Sequence, residues 1–226
     1  LGLSNLTIIK NALRIICKLY GDEIEILDLS LDDKPTYELL SRAETTGVFQ
    51  LESDGMKRYL RELKPSQFED IVAMCALYRP GPMEFIPDFV ARKHGVKAIQ
   101  YLHPAMEPIL KPTYGIMVYQ EQMMQLSRIL AGFTGGEADT LRKGVGKKIK
   151  SILDKVEPQF VNGCIKVGLI TKTQAEALWK EWLAWAKYGF NKSHAACYAL
   201  IAYQTAYLKA HYPSAFMAAL LTSDFS

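Results

Sequence analysis

Gly132-Phe-Thr-Gly-Gly-Glu-Ala-Asp-Thr-Leu-Arg-Lys-Gly-Val-Gly-Lys-Lys148 is the stretch on which the reading of this 226-residue chain turns. Thr134 has the chemistry of a helix N-cap, Glu137 and Asp139 fall in the first turns, and Arg142 and Lys143 come last. That is the order of charge the helix dipole favours. The spacing predicts a helix to about Lys143. Gly144 and Gly146 are expected to loosen or end it, leaving Lys147 and Lys148 on mobile backbone just beyond. Four cations in the seven residues 142–148, with two glycines between them, can close around a polyanion. The same residues also describe a solvated, charged helix end.

Helical spacing continues on both sides of this stretch. Leu6, Ile9, Leu13 and Ile16, flanked by Ile8, Ala12, Ile15 and Leu19, make an apolar stripe over Leu3–Tyr20 that Gly21 stops. A helix from near Asp33 to Ala43 carries Pro35 in its first turn. Ser53 or Asp54 caps another through Leu63, ending before Pro65. Ser66-Gln-Phe-Glu69 has capping-box spacing and opens a helix with Phe68, Ile71, Val72 and Cys75 turned inward. Short helices are predicted over Glu84–His94, closed by Gly95, and Tyr119–Ala131, with Gly132 just past its end.

Downstream, Lys150–Val167 reads as a helix containing Pro158, and Thr171 with Gln174 repeats the capping-box pattern. Leu178, Trp182 and Trp185 stack as core, with Trp179 alongside. Gly189 ends that helix, Ser193 is placed to cap one reaching His211, and Pro213-Ser214 precedes a last short helix. Asp22–Leu31 reads as a short strand or an ordered loop, and Gly47-Val-Phe-Gln-Leu51 as strand or turn. The expected fold is mostly α, multi-helix with few short strands, with sub-lobes 21–95 and 115–226 joined near 95–115.

The chain is long enough to bury a sizeable core. Its 49% hydrophobic and 23% charged residues are those of an ordinary globular protein. A net charge of +3 names no partner, but the cations cluster at 142–150 and again near Lys192. Cys17, Cys75, Cys164 and Cys197 are far apart, form no Cys-x-x-Cys pair and have no His at ligand spacing. They read as small hydrophobes in a reducing compartment. The longest strictly apolar run, Ala195–Tyr203, is nine residues, too short to span a bilayer. No signal peptide is visible, so a cytoplasmic location with no membrane partner is expected. The lack of an initiator Met suggests a piece of a longer protein.

Tyr188-Gly-Phe-Asn-Lys-Ser-His194 is the second informative stretch. A Ser193 N-cap leaves backbone N–H groups pointing outward, a ready anion site. Lys192 adds a fixed cation, His194 one that titrates, and Asn191 a donor. A capped helix facing water fits the same residues. With the other basic segment only 45 residues earlier, both can converge on one phosphate chain. Tyr78-Arg-Pro-Gly-Pro82 holds Arg79 rigidly, either as a fork for phosphate or as an ordinary turn. Gln120-Glu-Gln122 either caps a helix or contacts a ligand. The sequence contains no P-loop, no Gly-rich dinucleotide fingerprint, no nucleophile elbow and no pair of catalytic carboxylates.

Several motifs occur in a familiar order: Gly-Val-Phe-Gln-Leu-Glu-Ser53, Ala-Leu-Tyr-Arg-Pro-Gly-Pro82, Tyr-Gly-Ile-Met-Val-Tyr-Gln-Glu-Gln122, the 132–148 stretch, Tyr-Gly-Phe-Asn-Lys-Ser-His194 and Tyr-Gln-Thr-Ala-Tyr-Leu-Lys-Ala-His-Tyr-Pro213. Together they resemble, over essentially the whole chain, the fingers region of the family C bacterial replicative polymerases, the DNA polymerase III alpha subunits.

The resemblance implies that residues 1–20 leave the palm and residues 21–226 are fingers, truncated at both ends. The palm's last metal-binding aspartate would lie just before Leu1-Gly2-Leu3. It further implies binding of a deoxynucleoside triphosphate and template-primer DNA, with the rest of the polymerase and its holoenzyme subunits as partners. Arg142, Lys143, Lys147, Lys148, Asn191, Lys192, His194 and Arg79 are the residues implied for phosphate.

The implied chemistry is attack of a primer 3′-hydroxyl on the α-phosphate, assisted by two Mg2+ ions whose ligands are expected outside this chain. The isolated chain is therefore expected to be inactive. The family often has two arginines followed by a bulkier pair where this chain has Arg142, Lys143 and Gly144, and a lysine is a point charge rather than a fork. A non-catalytic helical nucleic-acid-binding module or a purely structural scaffold would share the basic clusters.

Overall fold

The structure is a computed structural model that describes residues 4–224. The Leu1-Gly2-Leu3 tripeptide lies outside the described residues. The helices are α1 (Ser4–Tyr20), α2 (Lys34–Ser41), α3 (Asp54–Leu63), α4 (Phe68–Leu77), α5 (Ile86–Lys93), α6 (Glu107–Leu110), α7 (Gln120–Ala131), α8 (Gly135–Lys147), α9 (Lys150–Val167), α10 (Lys172–Trp185), α11 (Lys192–His211) and α12 (Pro213–Asp224). The β structure among the described residues is an isolated parallel bridge between Tyr119 and Phe190. The mostly α fold class expected from the sequence is what the chain adopts.

The chain divides into two compact units. One runs to Tyr78 and resumes at Ser193; the other is Arg79–Lys192. In the first unit the apolar stripe of α1 (Ile8, Ile9, Ala12, Ile16) packs with Leu208 of α11 and with Ala215, Phe216 and Ala219 of α12. Fully burying each such Ile, Leu or Phe is worth about 1.5–3 kcal/mol. Asp33 caps α2 by accepting the Thr36 amide at 3.0 Å. Tyr203 of α11 ties the preceding loop down: its hydroxyl donates to Ser30 O at 2.7 Å and accepts the Asp33 amide at 3.0 Å.

Residues 47–51 form a turn rather than a strand, docked on α11 where the Phe49 amide donates to Thr205 Oγ1 at 3.1 Å. The 22–31 segment is likewise loop and turn. The N-cap position of α4 is Gln67 rather than Ser66. α4 begins at Phe68, and Asp70 Oδ2 accepts the Ser66 amide at 3.0 Å.

In the second unit α7, α8, α9 and α10 enclose one core. Met123, Leu126 and Leu130 of α7 meet Leu141 and Val145 of α8, Val156 and Phe160 of α9, and Leu178, Trp179 and Trp182 of α10. The Phe160 ring lies 4.9 Å from Trp182 and 5.6 Å from Trp179, distances at which aromatic pairs attract beyond their area alone. The core role read for these tryptophans is what the fold gives them. Gly132, at φ 70°, turns the chain out of α7 in the left-handed conformation a C-cap requires.

Two boundaries differ from the sequence reading, and packing decides both. α8 does not end near Lys143. It continues through both glycines to Lys147, and Lys148 caps it in the left-handed region at φ 51°. A Cβ on Gly144 would lie 2.7 Å from Ile152 Cγ2, so the missing side chain admits α9 rather than breaking α8. Ser193 does not cap α11 either, because the helix already starts at Lys192 and the first amide finds another acceptor.

Candidate phosphate-binding site

The second unit brings together two stretches that lie about 70 residues apart in sequence. Phe190 N–H donates to Val118 O at 3.1 Å, and Gln120 N–H donates to Phe190 O at 2.9 Å. This short ladder sets the 188–192 segment against the first turn of α7. Gln122 holds that turn from inside, its Oε1 accepting the amides of Val118 and Tyr119 at 2.8 and 3.0 Å. Its Nε2 donates to Thr113 Oγ1 at 2.8 Å. Gln122 thus takes the capping role read for Gln120-Glu-Gln122.

Glu121 reaches across the ladder. One oxygen accepts Asn191 Nδ2 and the other the backbone N–H of Lys192, each at 2.9 Å. The Lys192 ammonium lies 5.5 Å from the centre of the Tyr119 ring, within cation–π range. A carboxylate thus occupies the first amide of α11, the place where sequence reasoning put an anion. Nothing local in the sequence singled out Glu121, because its partners are distant in the chain. An acid in the first turn of a helix is the only signal, and it is a common one.

α8 arrives at the same turn of α7. A Cβ on Gly146 would stand 3.6 Å from Gln120 Nε2, so the α8 end that carries Lys147 and Lys148 abuts the residue next to Glu121. One turn earlier, Asp139 gathers the other two cations. Arg142 Nη2 lies 2.8 Å from its Oδ1 and Lys143 Nζ 2.8 Å from its Oδ2. Hydrogen bonds from Lys143 and then Arg142 outweigh a small desolvation effect and hold the Asp139 carboxyl below the usual range. At the other end of α8, Thr134 and Glu137 cap each other: the Glu137 amide donates to Thr134 Oγ1 at 3.3 Å and the Thr134 amide to Glu137 Oε2 at 2.7 Å.

Arg79 braces the facing segment. Its guanidinium donates to the Tyr188 carbonyl and lies 4.8 Å over the Phe190 ring, and burial lowers its affinity for the proton. Gly81, at φ 100°, makes room for the Tyr188 ring, which a Cβ there would meet at 2.7 Å. Gly189 does the same for Trp185, whose indole N–H donates to Met117 O at 2.7 Å. His194 belongs to the first unit, its ring 4.6 Å from Tyr198.

The family described as the bacterial DNA polymerase III alpha subunit finger domain matches residues 5–168. The chain belongs to that family. DNA polymerase III alpha subunits of Halalkalibacterium halodurans and Bacillus subtilis are 52% and 51% identical to it over 223 residues, 99% of this chain and 20% of each relative. That of Aquifex aeolicus is 48% identical over 226 residues, 99% of this chain and 19% of the relative. The chain therefore spans about a fifth of the length of the curated relatives it matches. The matched finger-domain residues include Arg79 and the α8 cations, while Asn191, Lys192 and His194 fall beyond them but within the span shared with whole relatives.

The finger domain also holds a cavity of about 780 Å³ in its second unit, walled by Tyr101, Met106, Leu126, Trp182 and Trp185, with the Asp88–Arg92 pair at 3.0 Å. None of the eight residues implied for phosphate lines it. Among the described residues no group of three or more His, Cys, Asp or Glu side chains could hold a metal ion. No described helix is long and apolar enough to cross a membrane.

Proposed function

We propose that this chain is the fingers of a cytoplasmic replicative DNA-directed DNA polymerase and that its second unit binds the β- and γ-phosphates of an incoming deoxynucleoside triphosphate. Arg142, Lys143, Lys147 and Lys148 supply the charge from α8, and from the facing segment Lys192 supplies a further charge and Asn191 a hydrogen-bond donor. Arg79 serves by bracing Tyr188 and Phe190. The observation that supports this most directly is that the α8 end and the 190–192 segment both meet the first turn of α7. A triphosphate carries about four negative charges; with Asp139 already paired to Arg142 and Lys143, α8 does not balance them alone, and screening at physiological salt leaves only about 8 Å for charges to cooperate.

In this reading the primer 3′-hydroxyl attacks the α-phosphate and pyrophosphate leaves. The α8 cations stabilise the charge that grows on the departing phosphates, while Lys192 and Asn191 hold the phosphates before and during the reaction. Positioning of template-primer DNA and assembly with the remaining polymerase and holoenzyme subunits belong to the same proposal. The isolated chain is expected not to extend a primer when Mg2+ is supplied.

Titration of the chain with labelled duplex DNA and, separately, with a deoxynucleoside triphosphate tests the proposal. Triphosphate binding that weakens steeply with salt is expected. Strong DNA binding with indifference to nucleotides would point to a non-catalytic nucleic-acid module, and binding of neither to a scaffold. Primer extension by the isolated chain would overturn the expected inactivity.

A further inference from the structure

We infer that Glu121 is a positioning residue for the nucleotide's phosphates, acting through Lys192 and Asn191; this rests on the nucleotide-binding reading above. Its two carboxylate oxygens are divided between two partners at the same distance, the Asn191 amide group and the Lys192 backbone N–H, both 2.9 Å. Charge-assisted bonds of this kind are about twice as strong as neutral ones.

The geometry that makes the bonds possible is built by backbone. The Val118–Phe190 and Phe190–Gln120 hydrogen bonds fix the register of the two segments, and Gln122 fixes the turn that carries Glu121. Lys192 opens α11, so its amide is among those a helix cannot satisfy internally. Glu121 supplies the acceptor, and the cation–π contact with Tyr119 sets the direction of the ammonium. The same arrangement changes how a phosphate meets this segment. The first amide of α11 is taken by a carboxylate, so the ligand is met by the Lys192 and Asn191 side chains.

A cation that contacts the phosphates before and during reaction contributes uniform binding, which appears in KM rather than kcat. In the polymerase subunit that contains this chain, Glu121→Ala is expected to raise KM for the deoxynucleoside triphosphate about ten-fold with kcat nearly unchanged, the scale of one charge-assisted hydrogen bond. Glu121→Gln keeps an acceptor for the Lys192 amide and is expected to raise KM only about three-fold. The double variant Glu121→Ala/Lys192→Ala should be no worse than Lys192→Ala, because residues acting through one another do not add.

Losses that multiply in the double variant would overturn the inference. Should Glu121→Ala fail to fold, Glu121→Gln carries the test: a raised KM supports it and an unaltered KM overturns it. Arg142→Ala run alongside keeps the two levels apart. An impaired Arg142→Ala beside a normal Glu121→Ala sinks only the role of Glu121, whereas two normal variants sink the nucleotide-binding reading itself.

Discussion

The carbonyl oxygen of Ala131 lies 2.3 Å from where a Cβ on Gly163 would stand. Gly163 is mid-helix in α9 and Ala131 is the last residue of α7, so the two helices touch through backbone at this point. A backbone atom cannot rotate away as a side-chain end can. Gly163→Ala is therefore expected to destabilise the chain by about 1–3 kcal/mol through overpacking, in spite of a helix-propensity gain of about 1 kcal/mol. Gly136→Ala is the matched control, since nothing lies within 4 Å of a Cβ there and its φ is not positive. It is expected to be neutral or stabilising by up to about 1 kcal/mol. Denaturant midpoints of the two variants settle the comparison, and equal midpoints would remove the close approach from the account.

Local chemistry was legible in the sequence where neighbours in the chain are neighbours in space. Thr134 and Glu137 cap α8, Thr171 and Gln174 cap α10, and Gly132 turns the chain out of α7, all within a few residues of one another. The inward stack of Trp179 and Trp182 was equally plain. What failed was whatever a distant segment decides. Gly144 and Gly146 read as residues that loosen or end the helix because glycine is a poor helix former, yet Ile152 needs the space at Gly144 and α8 runs on. Ser193 was read as a cap, yet a carboxylate about 70 residues upstream in sequence takes the first amide of α11. Of the candidate site, the cations are visible in the sequence and so is Asp139, three and four residues from its partners; Glu121, about 70 residues from Lys192, is not singled out.

The first unit should lose stability in acid through Asp33. Burial pushes its carboxyl up, but hydrogen bonds from the Thr36 hydroxyl, His211 and the Thr36 amide, together with the charge of His211, outweigh it and leave it below the usual carboxylate range. Its Oδ2 is 2.9 Å from His211 Nε2 and 2.6 Å from Thr36 Oγ1. A depressed folded-state value means stability that is present above the unfolded value of about 3.9 and lost as pH falls through the folded one. Asp33→Ala is expected to cost about 1 kcal/mol at pH 7, the usual loss for an N-cap. The gap between variant and parent should close below about pH 4. A gap that stays constant down to pH 3 would remove the carboxylate from the explanation.

Asp139 holds Arg142 and Lys143 before any ligand arrives, with both ion-pair distances at 2.8 Å. A phosphate must therefore compete with this carboxylate. All three side chains are partly exposed, so the competition is screened and modest in size. Asp139→Asn is expected to tighten binding of inorganic tripolyphosphate severalfold and to steepen its dependence on salt. Weaker binding in the variant would instead mean that Asp139 holds the cations in the geometry the ligand needs. Isothermal titration at two salt concentrations distinguishes these outcomes.

Arg142 is the residue on which the proposed function depends most. Its Nε and Nη2 lie 3.0 and 2.8 Å from a single Asp139 oxygen, and its side chain retains about a third of its exposure. It stands outside the apolar core that Leu141 and Val145 join from the same helix. Truncation should leave the melting transition nearly unchanged, since loss of an exposed ion pair is worth little. Catalysis should respond very differently. In the transition state charge builds on the departing phosphates, and removing one donor placed for such charge typically slows a reaction by about 10²–10³. Arg142→Ala in the polymerase subunit that contains this chain is expected to lose nucleotide incorporation by that factor. Arg142→Lys, which keeps the charge and loses the planar fork, should fall between the two. Single-turnover incorporation by the three proteins, each with its melting curve, makes the measurement, and an unchanged rate in Arg142→Ala would return α8 to a solvated, charged helix end.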